Sequence, residues 1–180
     1  MKTMPRPLLA VLSAVLLLFC PVGLLSAASL AQVEKRAASG DAQSQYLLGR
    51  VYQEGKIVRQ DHRKAAEYYA KAAEQDHAEA EYQLACCYYA GLGVEQDKVK
   101  ARMHLIAAAD HGSVEAQYHL AGTYARGKGG VKRNYRKAAY WYGKAAEQGH
   151  PEAKKHLDKL CGERPSACTG LQDKQPIPGE

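Results

Sequence analysis

The chain has 180 residues, enough for one domain with a sizeable hydrophobic core. Its 25 Lys and Arg residues and 19 Asp and Glu residues give a formal net charge of +6 at pH 7. Because the basic residues are spread along the chain without a dense run, the sequence gives no sign of a nucleic-acid partner. The mild basic excess favours an acidic protein partner or an anionic membrane surface.

Residues 1–28 have the layout of a secretory signal peptide. Lys2 and Arg6 precede an apolar run over 8–19, and residues 26–28 are the small residues that a signal peptidase reads. The apolar run is shorter than the roughly 20 residues of a membrane span. We therefore expect a cleaved signal.

Export would change both the charge and the compartment of the protein. Cleavage after Ala28, or at a second candidate site that ends at Ala31, removes Lys2 and Arg6 and leaves 23 bases minus 19 acids, or +4. We expect the mature protein in the periplasm, with no stable membrane insertion. The alternatives are the lumen of the endoplasmic reticulum and an N-terminal membrane anchor.

A repeat of 36 residues organises the rest of the chain. Segments 44–49, 80–85 and 116–121 align with one another, and a fourth copy begins 37 residues later, at Ala153. The domain boundaries that follow are an N-terminal capping segment at 29–41, repeats at 42–77, 78–113 and 114–150, a partial repeat at 151–161, and a tail at 162–180. The tail has three prolines and three glycines, which predicts irregular structure.

Each repeat reads as a helix, a loop and a second helix. Apolar and small residues recur at helical spacing in both segments, and Asp61, Asp97 and Asn134 stand where N-cap residues are expected. Glycines 55, 91 and 127 fit left-handed caps at the ends of the first helices. Glycines 112 and 149 end the second helices, whereas Asp76 holds that place in the first repeat, so we expect a different turn there.

Small residues recur at one position of the first helix: Gly49, Ala85 and Ala121. They predict close approach of two helix backbones, with the repeated tyrosines filling the space between helical pairs. A single pair cannot bury its apolar stripe, so stacking of several repeats is required.

The repeated motif resembles the Sel1-like repeat, which is related to the tetratricopeptide repeat. The best match runs from Ala116 to Gly149 and includes Tyr140-Trp141-Tyr142. The resemblance implies an all-α fold, a right-handed α-solenoid of helix-turn-helix repeats. It also implies an adaptor or scaffold for protein complexes. Some exported bacterial members look like immunity proteins that bind and block toxic effectors, including lipases.

In a solenoid, the face of the first helices that points away from the core commonly lines the concave groove. We expect this face to bind a protein partner. The residues expected on it are Gln43, Leu47, Arg50, Glu79, Gln83, Glu115, His119, Arg126, Glu152 and His156.

Catalysis and metal binding are poorly supported by the sequence. No Gly-x-Ser-x-Gly elbow is present, and no nucleophile stands out beside a base. His119 and His156 fall at equivalent positions, but no carboxylate or cysteine at ligand spacing completes a site. We predict a non-catalytic protein without cofactor or metal; the alternative is a periplasmic or cell-wall hydrolase.

Four cysteines remain after the signal: Cys86, Cys87, Cys161 and Cys168. Cys161 lies two repeats beyond Cys87, too far for the roughly 7 Å between α-carbons that a disulfide allows. Adjacent helical residues point about 100° apart, which disfavours a bond between Cys86 and Cys87. The geometry leaves Cys161–Cys168 as the predicted disulfide, with Cys86 and Cys87 as thiols.

Overall fold

The computed structural model describes residues 27–169. Residues 1–26 of the predicted signal at 1–28, and the tail beyond Thr169, lie outside the described residues. Within 27–169 the chain is helical and contains no strand. Its helices are α1 (Ala27–Ala38), α2 (Ala42–Glu54), α3 (His62–Ala73), α4 (Ala78–Ala90), α5 (Lys98–Asp110), α6 (Val114–Arg126), α7 (Tyr135–Glu147), α8 (Ala153–Glu163) and α9 (Pro165–Cys168).

The helices pack as hairpins that stack along one axis. Within the repeats α2 packs on α3, α4 on α5 and α6 on α7, and successive repeats join through α3–α4, α5–α6 and α7–α8 contacts. The predicted right-handed α-solenoid is confirmed. None of the helices within 27–169 combines the length and apolar character needed to cross a membrane.

The second helices begin at the predicted N-caps. The side chain of Asp61 accepts a hydrogen bond from the backbone N–H of Lys64 at 3.0 Å, and Asn134 accepts one from Lys137 at the same distance. Asp97 caps α5 in the same way. Each cap satisfies a backbone donor that the helix itself leaves free, which fixes where the helix starts.

The turns at the helix ends follow the sequence, with one exception. Gly55, Gly91 and Gly127 close the first helices in the left-handed conformation, as predicted. Asp76 has φ +58°, the same left-handed region as Gly112 and its counterpart Gly149. The expectation of a different turn at Asp76 was therefore wrong, since aspartate tolerates this conformation better than most residues do.

The core is built mainly from alanine. Fully or nearly fully buried alanines from both helices of each hairpin pack around a few large side chains, chiefly Leu48, Tyr69 and Leu120. Small residues let neighbouring helices approach closely, and the tyrosines fill the remaining space. The core continues from one repeat to the next because second helices contact the first helix of the following hairpin.

Both ends of the solenoid are covered. At the N-terminal end α1 packs on α2, and the side-chain amide of Gln45 donates to the carbonyl of Ala37 at 3.3 Å. At the C-terminal end α9 packs on α7 and α8 and buries Ala167.

The expectation of irregular structure was wrong for residues 162–168. Gly162 and Glu163 belong to α8, and Pro165 begins α9. Proline is well suited to a first helical position because its fixed φ matches the helix. The predicted Cys161–Cys168 disulfide is present, with α-carbons 5.6 Å apart, and it ties α9 to α8.

Candidate protein-binding surface

The predicted face of the first helices is accessible to solvent. We call it the first-helix face; it comprises the exposed side chains of Gln43, Arg50, Glu79, Glu115, His119, Arg126 and Glu152 and the half-buried side chains of Leu47, Gln83 and His156. These residues come from α2, α4, α6 and α8 and from the residues immediately before α8. Every predicted residue is thus available for contact, although His156 is more enclosed than a freely solvated histidine.

The basic residue at the N-terminal end of this face, Arg50, is paired with a carboxylate. Arg50 Nη2 lies 2.6 Å from Glu54 Oε1, one helical turn along α2, and this bond lowers the pKa of Glu54. The ring of His77 bonds the side chain of Gln43 at 2.9 Å and lies 3.8 Å from Glu79. The Arg50–Glu54 pair therefore leaves no free guanidinium among the predicted residues of α2.

Tyrosine and histidine rings cluster at the C-terminal end of the face. The ring of Tyr118 on α6 contacts three histidines and a second tyrosine, and one further ring contact links α4 to α6. We call these six rings the tyrosine–histidine cluster; they belong to Tyr82, Tyr118, Tyr142, His119, His150 and His156. Its centroid distances are 5.6 Å for Tyr118–His119, 4.1 Å for Tyr118–His150, 5.5 Å for Tyr118–His156, 5.7 Å for Tyr118–Tyr142, 5.4 Å for Tyr142–His156 and 5.7 Å for Tyr82–His119.

The cluster explains the two histidines that the sequence placed at equivalent positions. His119 and His156 each pack against the ring of Tyr118. Although part of the side chain is exposed, desolvation of the ring lowers the pKa of His119, and the charges of His150 and Arg126 lower it further. His119 is therefore neutral at pH 7, with an aromatic face available and ring nitrogens able to donate or accept hydrogen bonds.

Arg126 borders the cluster at the end of α6. Its guanidinium lies over Gly122, where a β-carbon would come within 3.0 Å of Nη2. The side chain is exposed, and Arg126 makes no ion pair with any residue in 27–169. The face therefore carries an unneutralised guanidinium beside a group of aromatic rings.

Sequence reasoning missed Tyr89, which is 64 % exposed near the end of α4. Its counterparts are Gln53 in the first repeat and Ala125 in the third, so the aromatic ring is peculiar to the middle repeat. Comparison of that single column among the three repeats would have revealed it. An exposed tyrosine in the middle of the array is the kind of residue that protein interfaces bury.

Sequence reasoning also missed a group formed by Asp76, Glu81 and His111. The ring of His111 approaches Glu81 through Nδ1 at 2.8 Å and Asp76 through Nε2 at 3.8 Å. These three residue types can ligate a metal, and their ligand atoms lie within 4.8 Å of one another. However, the two carboxylates face different ring nitrogens, whereas one ion binds only one of them. The arrangement fits an imidazolium that bridges two carboxylates better than it fits a metal centre.

The two free thiols are poor nucleophiles. Cys87 is buried, and burial raises its pKa to about 11; burial also raises the pKa of Cys86. Both therefore remain protonated at neutral pH, whereas the thiolate is the reactive form.

Comparison with known proteins places the repeats in a family. The model of the Sel1 repeat matches residues 42–77, 78–113 and 114–150, the same three intervals that the sequence period defines. The chain belongs to the Sel1 repeat family. Proteins built from Sel1 repeats generally act as protein–protein interaction modules and are typically non-catalytic.

Two solved structures are similar to this chain. A Sel1 repeat protein from Oxalobacter formigenes is 31 % identical, with a TM-score of 0.73 over 82 % of this chain and 44 % of that protein. A protective antigen of uropathogenic Escherichia coli strains, described as displaying an SLR fold, is 32 % identical, with a TM-score of 0.68 over 75 % of this chain and 29 % of that protein. This chain thus spans less than half the length of either protein. No curated protein matches it.

Proposed function

We propose that this Sel1 repeat protein is an exported, non-catalytic binding module that holds an acidic protein partner on its first-helix face. The observation that carries the proposal is the combination of the unpaired Arg126 with the adjoining tyrosine–histidine cluster. Tyrosine and arginine are the residue types that dominate the energetics of protein interfaces. The rings of Tyr46, Tyr69 and His77 also pack together at the N-terminal end of the face, but the guanidinium there, that of Arg50, is paired with Glu54.

The chemistry of the partner follows from the chemistry of this surface. A carboxylate on the partner can bind the Arg126 guanidinium in a bidentate manner, and its aromatic or aliphatic side chains can pack on exposed ring faces. Tyr89 supplies a second anchor nearer the middle of the array. The basic net charge of the chain adds a long-range attraction that speeds association with an acidic protein.

Three features support a non-catalytic role in an oxidising compartment. The protonated state of Cys86 and Cys87 at neutral pH disfavours thiol catalysis, and this weakens the hydrolase alternative. The Cys161–Cys168 disulfide suits the periplasm or another secretory compartment, where such bonds persist. The signal-like layout of residues 1–28 points to the same location.

The sharper form of the proposal is an immunity-type inhibitor that occludes the active site of a secreted toxic effector, such as a lipase. A face carried on packed helices suits occlusion because little ordering is needed when the partner binds. A scaffold would use the same face without changing the activity of its partner.

Affinity capture from the exported fraction of the native host tests the proposal. The bait proteins are the wild type, Arg126→Glu on the first-helix face and Arg136→Glu, an equally charged change at an exposed position of α7. We expect one stoichiometric acidic partner with the wild type and Arg136→Glu, and its loss with Arg126→Glu. Equal capture by all three proteins would show that the face is not the binding surface.

The purified complex then separates inhibitor from scaffold. An effector whose enzymatic activity falls as the wild-type protein is added supports the inhibitor, and Arg126→Glu should fail to lower that activity. A partner that keeps its activity in a stable complex supports the scaffold.

A further inference from the structure

Each repeat carries a polar pair that joins the start of its first helix to the end of its second helix. In the first repeat the side-chain amide of Gln75 donates to Gln45 Oε1 at 2.8 Å, and in the third repeat Gln148 donates to Gln117 Oε1 at 2.8 Å. We call this pair the clasp. It closes the open end of the helical hairpin, opposite the loop that joins the two helices.

The clasp also reaches back to the preceding repeat. In the third repeat the Gln148 amide donates a second bond to the carbonyl of Gly112, which lies in the turn before α6, at 3.1 Å. Gln117 donates to the carbonyl of Ala109 at 3.1 Å. The clasp therefore fixes both a hairpin and its joint with the previous hairpin.

The middle repeat replaces this neutral clasp with ionisable groups. Glu81 stands in the column of Gln45 and Gln117, and His111 stands in the column of Gln75 and Gln148. The His111 ring bonds Glu81 at 2.8 Å and approaches Asp76, in the turn before α4, at 3.8 Å. Like the Gln148 amide, the ring contacts the first helix of its own repeat and the turn that precedes that helix. In the turn, however, it faces the side chain of Asp76, whereas Gln148 bonds a backbone carbonyl.

The neutral and ionisable clasps differ in what protonation does to them. A glutamine pair keeps its hydrogen bonds at every ordinary pH, because amides do not titrate. A neutral His111 ring can still donate through Nδ1 to Glu81, but only the imidazolium carries the positive charge that pairs with both Glu81 and Asp76. Glu81 is 5 % exposed, so loss of the imidazolium charge would leave a buried carboxylate without a cationic partner.

We propose that Asp76, Glu81 and His111 form a protonation-dependent clasp, so that the second repeat and its joint with the first are held tightly when His111 is charged and loosened when it is neutral. The flanking repeats have glutamine clasps and stay equally closed at pH values below and above the pKa of His111. The device acts on α4, which carries Tyr89 and also meets α6 through the Tyr82–His119 ring contact.

The direction of the pH dependence follows from the groups around His111. Its hydrogen bond with Glu81 raises the pKa of His111, and the charges of Glu81, Asp76 and Asp110 add to this; burial opposes it. The stabilisation is therefore complete below pH 6.5 and is lost as pH rises through the raised pKa. Burial raises the pKa of Glu81, so the buried charge of that carboxylate likewise costs stability as pH rises.

The test replaces the ionisable clasp with the neutral one. Glu81→Gln/His111→Gln installs the pair that the first and third repeats already contain, so the variant should keep the fold. Thermal unfolding midpoints of both proteins are measured from pH 5.5 to pH 8.5. We expect the wild-type Tm to fall relative to that of the variant by roughly 2–4 °C across this range. Because His104 and His119 titrate in both proteins, their contributions cancel in the comparison.

Two further measurements keep the proposal falsifiable. Amide hydrogen exchange of the wild type, corrected for intrinsic rates, should show the start of α4 and the end of α5 opening more at pH 8.5, with the first and third clasps unchanged. The reciprocal variant Gln117→Glu/Gln148→His places an ionisable clasp in the third repeat, and its Tm should depend on pH more strongly than that of the wild type. If the Tm difference between wild type and Glu81→Gln/His111→Gln is the same at every pH, or exchange rises equally at all three clasps, the proposal is overturned.

Discussion

The ring of Tyr69 lies over the α-carbon of Gly49, so closely that a β-carbon on Gly49 would come within 2.5 Å of a ring carbon. The hydroxyl of Tyr69 bonds the side chain of Gln53, one turn farther along α2. To reach Gln53, the ring crosses the surface of α2 at Gly49. The small residue therefore accommodates an aromatic side chain, whereas the sequence suggested contact between backbones.

Replacing Gly49 with alanine should therefore destabilise the first repeat. We expect Gly49→Ala to lower the free energy of unfolding by about 1–3 kcal/mol, since a well-packed ring must move to admit one methyl group. Denaturant unfolding measures the loss. The variant Gly49→Ala/Tyr69→Leu reproduces the Ala85 and Leu105 pair of the second repeat and should recover part of it.

A failure of the second change to recover any stability would contradict this explanation. In that case the cost of alanine at position 49 would come from something other than the ring of Tyr69.

Ser113 is fully buried, and its hydroxyl has no hydrogen-bond partner within residues 27–169. A buried, unsatisfied hydroxyl costs free energy, and Ser113 makes no side-chain cap for α6 that alanine would remove. We expect Ser113→Ala to leave stability unchanged or raise it by up to about 1 kcal/mol. Calorimetry of the purified variant gives the answer.

Ser44 provides the matched control for this substitution. It is also buried, but its hydroxyl donates to the carboxylate of Asp41. Ser44→Ala should therefore cost about 1–2 kcal/mol. Equal destabilisation by the two alanines would mean that the Ser113 hydroxyl is paired.

The disulfide should stabilise the C-terminal end of the array. Cys161 and Cys168 are separated by 7 residues, and a loop of that length restricts the unfolded chain by about 2 kcal/mol. We expect Cys161→Ser/Cys168→Ser to lower the denaturation midpoint to that of the reduced wild type. A wild-type protein whose midpoint does not change on reduction would contradict the prediction.

Tyr89 should contribute to binding without contributing to stability. At 64 % exposure it makes few contacts within the fold, so Tyr89→Ala should leave the Tm nearly unchanged and weaken partner binding about tenfold or more. Met103 on α5 is the control, because it is apolar and 63 % exposed but lies on a second helix. Calorimetric titration of the partner into Tyr89→Ala and Met103→Ala should show a loss of affinity for Tyr89→Ala only.

The fold could be predicted almost completely from the sequence because its determinants are local and repeated. A cap such as Asp61 acts on a backbone group three residues away, and the 36-residue period shows which residues occupy equivalent places. Asp76 was mispredicted because propensity alone disfavours it at a left-handed position. The structure shows that its carboxylate also faces His111, a contact 35 residues distant in sequence.

The surface was harder to predict because it depends on contacts between repeats. The exposure of Arg126 follows from helical periodicity, but the packing of His119 on Tyr82 of the preceding repeat depends on the rotation between hairpins. That rotation is not encoded in any single repeat. Aligning the three repeats and comparing them position by position would have revealed both Tyr89 and the ionisable clasp, because each differs from its two counterparts.

Site-specific photo-crosslinking tests most directly whether the first-helix face is the binding surface. A photoreactive amino acid is placed at position 126 on that face, at position 89 near the end of α4, or at position 103 on α5, and each protein is irradiated in the exported fraction. We predict one shared crosslinked partner from positions 89 and 126 and none from position 103. A partner captured from position 103 alone, or equally from all three positions, would contradict the account.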